Sequence, residues 1–131
     1  DRPDASWIVS LKSQSPDGAM QVVTKGWLRA SHRKLDPKRS KPYQPYHPHD
    51  ARVPVPENEV LEYAIELRET SMAFPKGHRL VIEIRAQDTL ADEPIWYHQT
   101  SATQTRHTLH CGGGRNSYLL LPVIPAANGG A

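Results

Sequence analysis

Residues 6–18 read SWIVSLKSQSPDG, and their pattern decides the fold class. Trp7, Val9 and Leu11 alternate with Ile8, Ser10 and Lys12. Successive side chains of an extended chain point to opposite faces, so this alternation belongs to a strand. Pro16-Asp17-Gly18 ends it. Proline pre-sets φ and glycine accepts a positive φ, so a turn follows. A second strand is expected from about Met20 to Thr24, which makes the pair a hairpin. Gly26 is expected at a bulge, with Trp27–Ser31 continuing in extended form beyond it.

The same punctuation recurs outward. Between Glu59 and Leu67, the residues Leu61, Tyr63, Ile65 and Leu67 alternate with Glu62, Ala64 and Glu66. A helix from Asn58 would also gather Leu61, Ala64 and Ile65 on one side, but strict alternation favours a half-buried strand. Phe74-Pro75-Lys76-Gly77 turns the chain, and Leu80, Ile82 and Ile84 are expected to form the next inward face. Asp88–Glu93 reads as an acidic loop and Ile95–His98 as a short extended piece. Thr103–His110 reads as an edge strand. Gly112–Ser117 is a tight turn, for which an anion-holding nest of backbone N–H groups is the rival reading. Tyr118–Ile124 is the most apolar run and is expected to be a central strand, ended by Pro122 and Pro125. Many short strands at regular intervals indicate a β-sandwich.

Composition agrees. The chain has 131 residues with 12 prolines and 8 glycines, a punctuation that disfavours long helices. That length is about one domain: residues 1–125 are expected to form it, with 126–131 as a flexible tail. The single cysteine, Cys111, excludes an internal disulfide, and this usage favours a cytoplasmic setting over a secreted one. No apolar run is long enough to span a membrane. Charge is uneven. Lys25–Arg52 carries eight Lys/Arg against Asp36 and Asp50, a net of +6, while the remainder carries a net of −4. The basic segment is too short and too proline-rich for a nucleic-acid surface, and reads instead as a specific docking surface.

Six of the twelve prolines lie between residues 37 and 56. Regular structure is not expected there, and an irregular loop of that length in a small domain is functional or disordered. Tyr43 and Tyr46 favour an ordered loop, since aromatics among prolines supply apolar area for packing. Arg29, Arg33 and Arg79 are candidates to anchor it, because a guanidinium grips carbonyl oxygens in a fork. His47-Pro48-His49-Asp50 offers two imidazoles and a carboxylate, with His107 and His110 elsewhere. A metal needs three or four converging ligands. The preferred role for His47 and His49 is hydrogen bonding to backbone groups that the prolines leave unpaired.

Nucleophilic catalysis finds no support. Gly-x-Ser-x-Gly is absent. Ser31 and His32 are adjacent, and on a strand adjacent side chains diverge. No catalytic, cofactor or metal residue is assigned.

Four segments carry a family resemblance: Gly26–Arg33 with Leu35-Asp36; Pro45–His49; Phe74–Leu80 with Glu83-Ile84; and Ser117–Pro125. Their order and spacing resemble the C-terminal domain of the X-Pro dipeptidyl-peptidase/cocaine-esterase-like (CocE/NonD) serine hydrolases. The resemblance implies a jelly-roll β-sandwich of the galactose-binding-like type. It implies a partner too: an upstream α/β-hydrolase domain that carries the catalytic residues and acts on X-Pro peptides or acyl esters and amides. This chain would then be non-catalytic, stabilising that domain and shaping its cleft. The alternative is a carbohydrate- or ligand-binding jelly-roll module. The family module begins before the segment around Trp7, so the first strands are expected to be missing. The hairpin of residues 6–24 would then expose an edge or an apolar face, and Trp7, Val9 and Leu11 would mediate self-association or contact with the rest of the parent.

Overall fold

The computed structural model describes residues 4–86 and 106–125. Strand β1 (Ser6–Gln14) and strand β2 (Met20–Arg29) form an antiparallel hairpin joined through Ser15–Ala19. The turn closes by Gly18 N–H to the Ser15 carbonyl and Ser15 N–H to the Ala19 carbonyl, both 2.9 Å. Asp17 accepts from the Ser15 hydroxyl and from the Ala19 amide. Gly18 has φ +92°, which a residue with a Cβ adopts only under strain.

β3 (Arg79–Arg85) pairs antiparallel with the other edge of β1, giving a three-stranded sheet in the order β2-β1-β3. The all-β expectation is met: among the described residues the only helical piece is a single 3₁₀ turn, Ala30–His32. A second, two-stranded ribbon consists of β4 (Cys111–Gly112) and β5 (Arg115–Asn116). Gly113 and Gly114 form its turn at φ +64° and +84°, so Gly112–Ser117 is a hairpin connection.

The core sits on β1. Trp7, Ile8, Leu11, Leu28 and Ala30 are buried, as are Ser10 and Ser13. Each large apolar side chain so buried contributes on the order of 1.5–3 kcal/mol. Side chains on both faces of β1 are buried, so Trp7 and Leu11 do not form the exposed contact face that the sequence predicts, although β2 is an edge strand with Met20 and Val22 exposed. Trp7 is only 8% exposed and Leu11 3%, while β3 pairs with the edge of β1 that β2 leaves open. Tyr63 packs against the Trp7 ring at 5.4 Å and His107 meets it edge-on at 4.7 Å.

Several expectations are corrected. The register shifts between Leu11 and Lys12, where Val23 is the extra residue opposite, so the bulge is not at Gly26. Gly26 answers a different need. A Cβ there would collide with the backbone carbonyl of Glu66, so only glycine lets residues 66–68 lie against β2. Residues 59–67 form no strand. They approach β2 through the bond from Arg68 N–H to the Lys25 carbonyl at 2.9 Å and from the Thr24 hydroxyl to the Arg68 carbonyl at 2.6 Å. A ladder needs repeated pairs, and the close crossing at Gly26 supplies none.

Residues 106–110 form no strand, and neither do residues 118–124. The apolar run Tyr118–Ile124 reaches 87% exposure at Ile124. Pro122 and Pro125 donate no ladder bond, and no described strand lies beside the run. Leu80, Ile82 and Ile84, expected to point inward, are 46%, 41% and 39% exposed. They share a face with Ser13, Leu11 and Val9, their partners across the ladder. The expected elements at 88–93 and 95–98, Thr103–Thr105 and the tail 126–131 lie outside the described residues.

Candidate functional site

The proline-rich loop and the cleft beside it begin at Asp4. Its carboxylate accepts from Arg29 Nε (2.6 Å), the Ser31 hydroxyl (2.7 Å), the Ser31 amide (3.0 Å) and the Ala5 amide (2.9 Å). Burial alone would push Asp4 upward. The bonds from Ser31, Arg29 and Ala5 outweigh it and hold the carboxyl below its ordinary value. Ala30 N–H also reaches the Ala5 carbonyl at 2.7 Å. These bonds stop β2 and turn the chain into Ala30–His32, so Ser31 is buried and His32 comes out toward the loop.

Arg33 follows at once. Its Nη1 donates to the Ala30 and Val53 carbonyls, both at 3.1 Å, and its Nη2 to the Pro54 carbonyl at 2.7 Å. The Val53 amide donates to the Ser31 carbonyl at 2.7 Å. Arg29 binds Asp4 instead of the loop, and Arg79 opens β3. The first part of the loop is self-bonded. Asp36 Oδ1 accepts from the Lys38 and Arg39 amides, and Lys41 and Gln44 exchange backbone bonds across Pro42-Tyr43. Tyr46 packs under Arg39, whose guanidinium carbon lies 3.6 Å from the ring centre. Tyr43 stays 66% exposed, so of the two tyrosines it packs the less.

The histidines divide by role. His47 places Nδ1 3.1 Å from the Lys34 carbonyl and Nε2 2.8 Å from the Ala64 carbonyl, bridging the loop to the 59–68 strip. His49 has a positive φ of +54° and sets its Nδ1 3.1 Å from Nδ1 of His32. Partial desolvation of this largely exposed ring holds His49 below the ordinary histidine value, with charge on His32 and His47 adding to it. Lys34 pairs with Asp50 at 3.1 Å, and this bond lowers the carboxyl. His107 lies against Trp7, away from this group. Among the described residues no group of three or more His, Cys, Asp or Glu side chains is arranged to hold a metal ion.

An open cleft of ≈ 670 Å³ runs between loop, β2 and strip. Trp27, Tyr46, His47 and His49 line it, with Glu66 and Glu69 on the strip side. The Arg68 guanidinium stands over the Trp27 ring at 4.6 Å.

Among the described residues no serine is placed as a nucleophile. Ser31 spends its hydroxyl on Asp4. Ser13 Oγ lies 2.9 Å from His78 Nδ1, a Ser–His pair 65 residues apart in sequence. Ser13 is 2% exposed, so no substrate carbonyl can reach it. The pair joins the start of β3 to the end of β1. Sequence spacing gave no sign of it, nor of Asp4.

Residues 1–120 match the family described as the X-Pro dipeptidyl-peptidase C-terminal non-catalytic domain. The chain belongs to that family. Two relatives named as serine esterases, from Mycobacterium bovis and Mycobacterium tuberculosis, are each 33% identical to this domain over 90 residues. The alignments cover 65% of this chain and 14% of each relative. A CocE/NonD family hydrolase from Staphylococcus aureus superposes with a TM-score of 0.64 at 26% identity. That match covers 68% of the domain and 18% of the hydrolase. The domain therefore spans about a sixth of the length of proteins it resembles. Among its described residues no helix is long and apolar enough to cross a membrane.

Proposed function

We propose that this domain is the C-terminal β-sandwich, of jelly-roll type, of a serine hydrolase acting on X-Pro peptides or on acyl esters and amides. It stabilises an upstream α/β-hydrolase domain and helps to shape that domain's cleft. The observation that carries this reading is the family match over residues 1–120, whose description is itself non-catalytic. Membership of a hydrolase family and the apolar β3 face are in keeping with it. Arg33 serves as the main loop anchor, with His47 bridging the loop to the strip, so that the loop keeps one shape at the domain's surface.

The test compares chain with parent. The isolated chain is expected to leave X-Pro-anilides and p-nitrophenyl esters untouched beyond background, whereas the parent turns one of them over. In the parent, Ile82→Asp is expected to lower activity and stability together. Saturable turnover by the isolated chain that disappears in Ser31→Ala would overturn the reading.

A second reading has one observation in its favour. The cleft combines Trp27 and Tyr46 with Glu66 and Glu69, a lining suited to stacking on a sugar ring and binding its hydroxyls. Titration with a panel of mono- and oligosaccharides, followed by Trp27 fluorescence, tests it. A response lost in Trp27→Ala supports a carbohydrate module, and no response across the panel excludes one.

A further inference from the structure

The His32–His49 contact has chemistry that a structural loop does not need. Two imidazole Nδ1 atoms at 3.1 Å share one proton: one ring donates and the other accepts. If both rings carry two protons, neither Nδ1 can accept from the other, and two positive charges face each other with their centres 5.2 Å apart. His47 obeys the opposite rule. Both of its ring nitrogens point at carbonyl oxygens, and a ring with two protons donates to both. Protons therefore break one attachment of the loop and leave its neighbour intact. We propose that the His32–His49 pair is an acid-released latch, and that the loop opens at residues 48–50 by pivoting on His47.

Three further observations support the latch. His49 sits in left-handed backbone, which is less favourable for a residue with a Cβ and so favours release. The carboxylate next in sequence, Asp50, is already paired, and the other carboxylates of the cleft, Glu66 and Glu69, belong to the strip. On the loop, Asp50 is engaged by Lys34 and His47 lies 5.9 Å from His49, ring centre to ring centre. On the turn, Arg33 is committed to the Val53 and Pro54 carbonyls. Across the cleft, the strip brings Glu66 and Glu69 together with Arg68, while β2 contributes the uncharged Gly26 and Trp27. Partial desolvation and the neighbouring His32 and His47 also lower the His49 value, in the direction the latch requires. Because His49 and His47 line the same cleft, release changes its mouth.

The experiment uses the 131-residue chain. Side-chain ¹⁵N spectra report the tautomers of His32, His47 and His49 from about pH 8 to about pH 5. The expected result is a complementary pair at neutral pH, His32 and His49 differing in which one carries the Nδ1 proton, with coupled titration on acidification. Amide exchange at Asp50 and Ala51, corrected for its intrinsic pH dependence, should rise about tenfold per pH unit below the transition, the slope of one linked proton. Arg39 and Ser40, in the self-bonded part of the loop, should not follow. His32→Gln keeps a donor and an acceptor but does not titrate, and should flatten the rise. Independent titration of the two rings in the unaltered chain overturns the proposal. So does an acid-induced rise that persists in His32→Gln.

Discussion

The β1–β2 hairpin and β3 carry equally good strand patterns and meet different fates. β1 alternates as SWIVSLK and is buried on both faces. β3 alternates as RLVIEIR and leaves Leu80, Ile82 and Ile84 39–46% exposed. Alternation states which side chains share a face. It does not state what lies over that face. β1 is covered because β2, β3, Tyr63 and His107 all reach it, whereas nothing described covers the outer part of the β3 face. The run Tyr118–Ile124 makes the same point more strongly, being the most apolar stretch of the chain and yet largely exposed, up to 87% at Ile124.

The sharpest way to break the comparison is to remove equal side chains from both regions. Ile8→Ala should cost about 2–5 kcal/mol, since Ile8 is 1% exposed and would leave a cavity. Ile84→Ala should cost under about 1 kcal/mol. Urea denaturation of both variants measures the gap. Equal losses would mean that something covers the β3 face in solution.

Gly26→Ala comes next. The added methyl meets the Glu66 carbonyl, so β2 or the strip must shift, at about 1–3 kcal/mol. The same change at Gly112, where nothing lies within 4 Å of a new Cβ, should be nearly silent in the same melts.

Arg33→Ala should cost about 1–2 kcal/mol through three lost donor bonds. Arg33→Lys should not restore it, because an ammonium cannot span the Val53 and Pro54 carbonyls as a fork. Amide exchange at Val53 gives the readout, and full rescue by lysine would remove the fork from the explanation.

The smallest effect is Asp4's. Its folded value lies below the ordinary 3.8, so its contribution is fully present above that value and is lost as pH falls through the lower one. Asp4→Asn should therefore flatten the acid limb of the stability profile below about pH 4 and lower stability modestly at neutrality. An unchanged acid limb would show that the carboxylate's bonds do not persist.

The residues explain which parts of this could be read in advance. Strands β1 and β2, the Pro16-Asp17-Gly18 turn and the Gly113-Gly114 hairpin follow from local rules, and local rules were sufficient. Residues 59–67 show where they fail: the alternation of Leu61 through Leu67 is real, but the strip meets β2 at a crossing. Gly26 was a visible signal with two meanings, a bulge or a close approach, and only the partner backbone separates them. At the site, His47 and His49 stood out because prolines surround them. His32 and Asp4 did not, since one acts through a turn that ends a strand early and the other through a contact 25 to 27 residues away. Ser13 and His78 meet only because β3 pairs with β1. No short-range pattern encodes such pairs.

The strip at residues 66–68 has a consequence for how the sheet can grow. Against β2 it works as an end-stop: the Lys25 carbonyl is taken by Arg68, and the Glu66 backbone fills the space beside Gly26. At the opposite side, β3 has β1 as its sole strand neighbour among the described residues. Among the described residues the sheet thus has one margin blocked at Lys25 and Gly26 and one with no described strand beside it. A strand supplied from elsewhere would meet the strip's backbone at the middle of β2, where Gly26 leaves no room for a second neighbour.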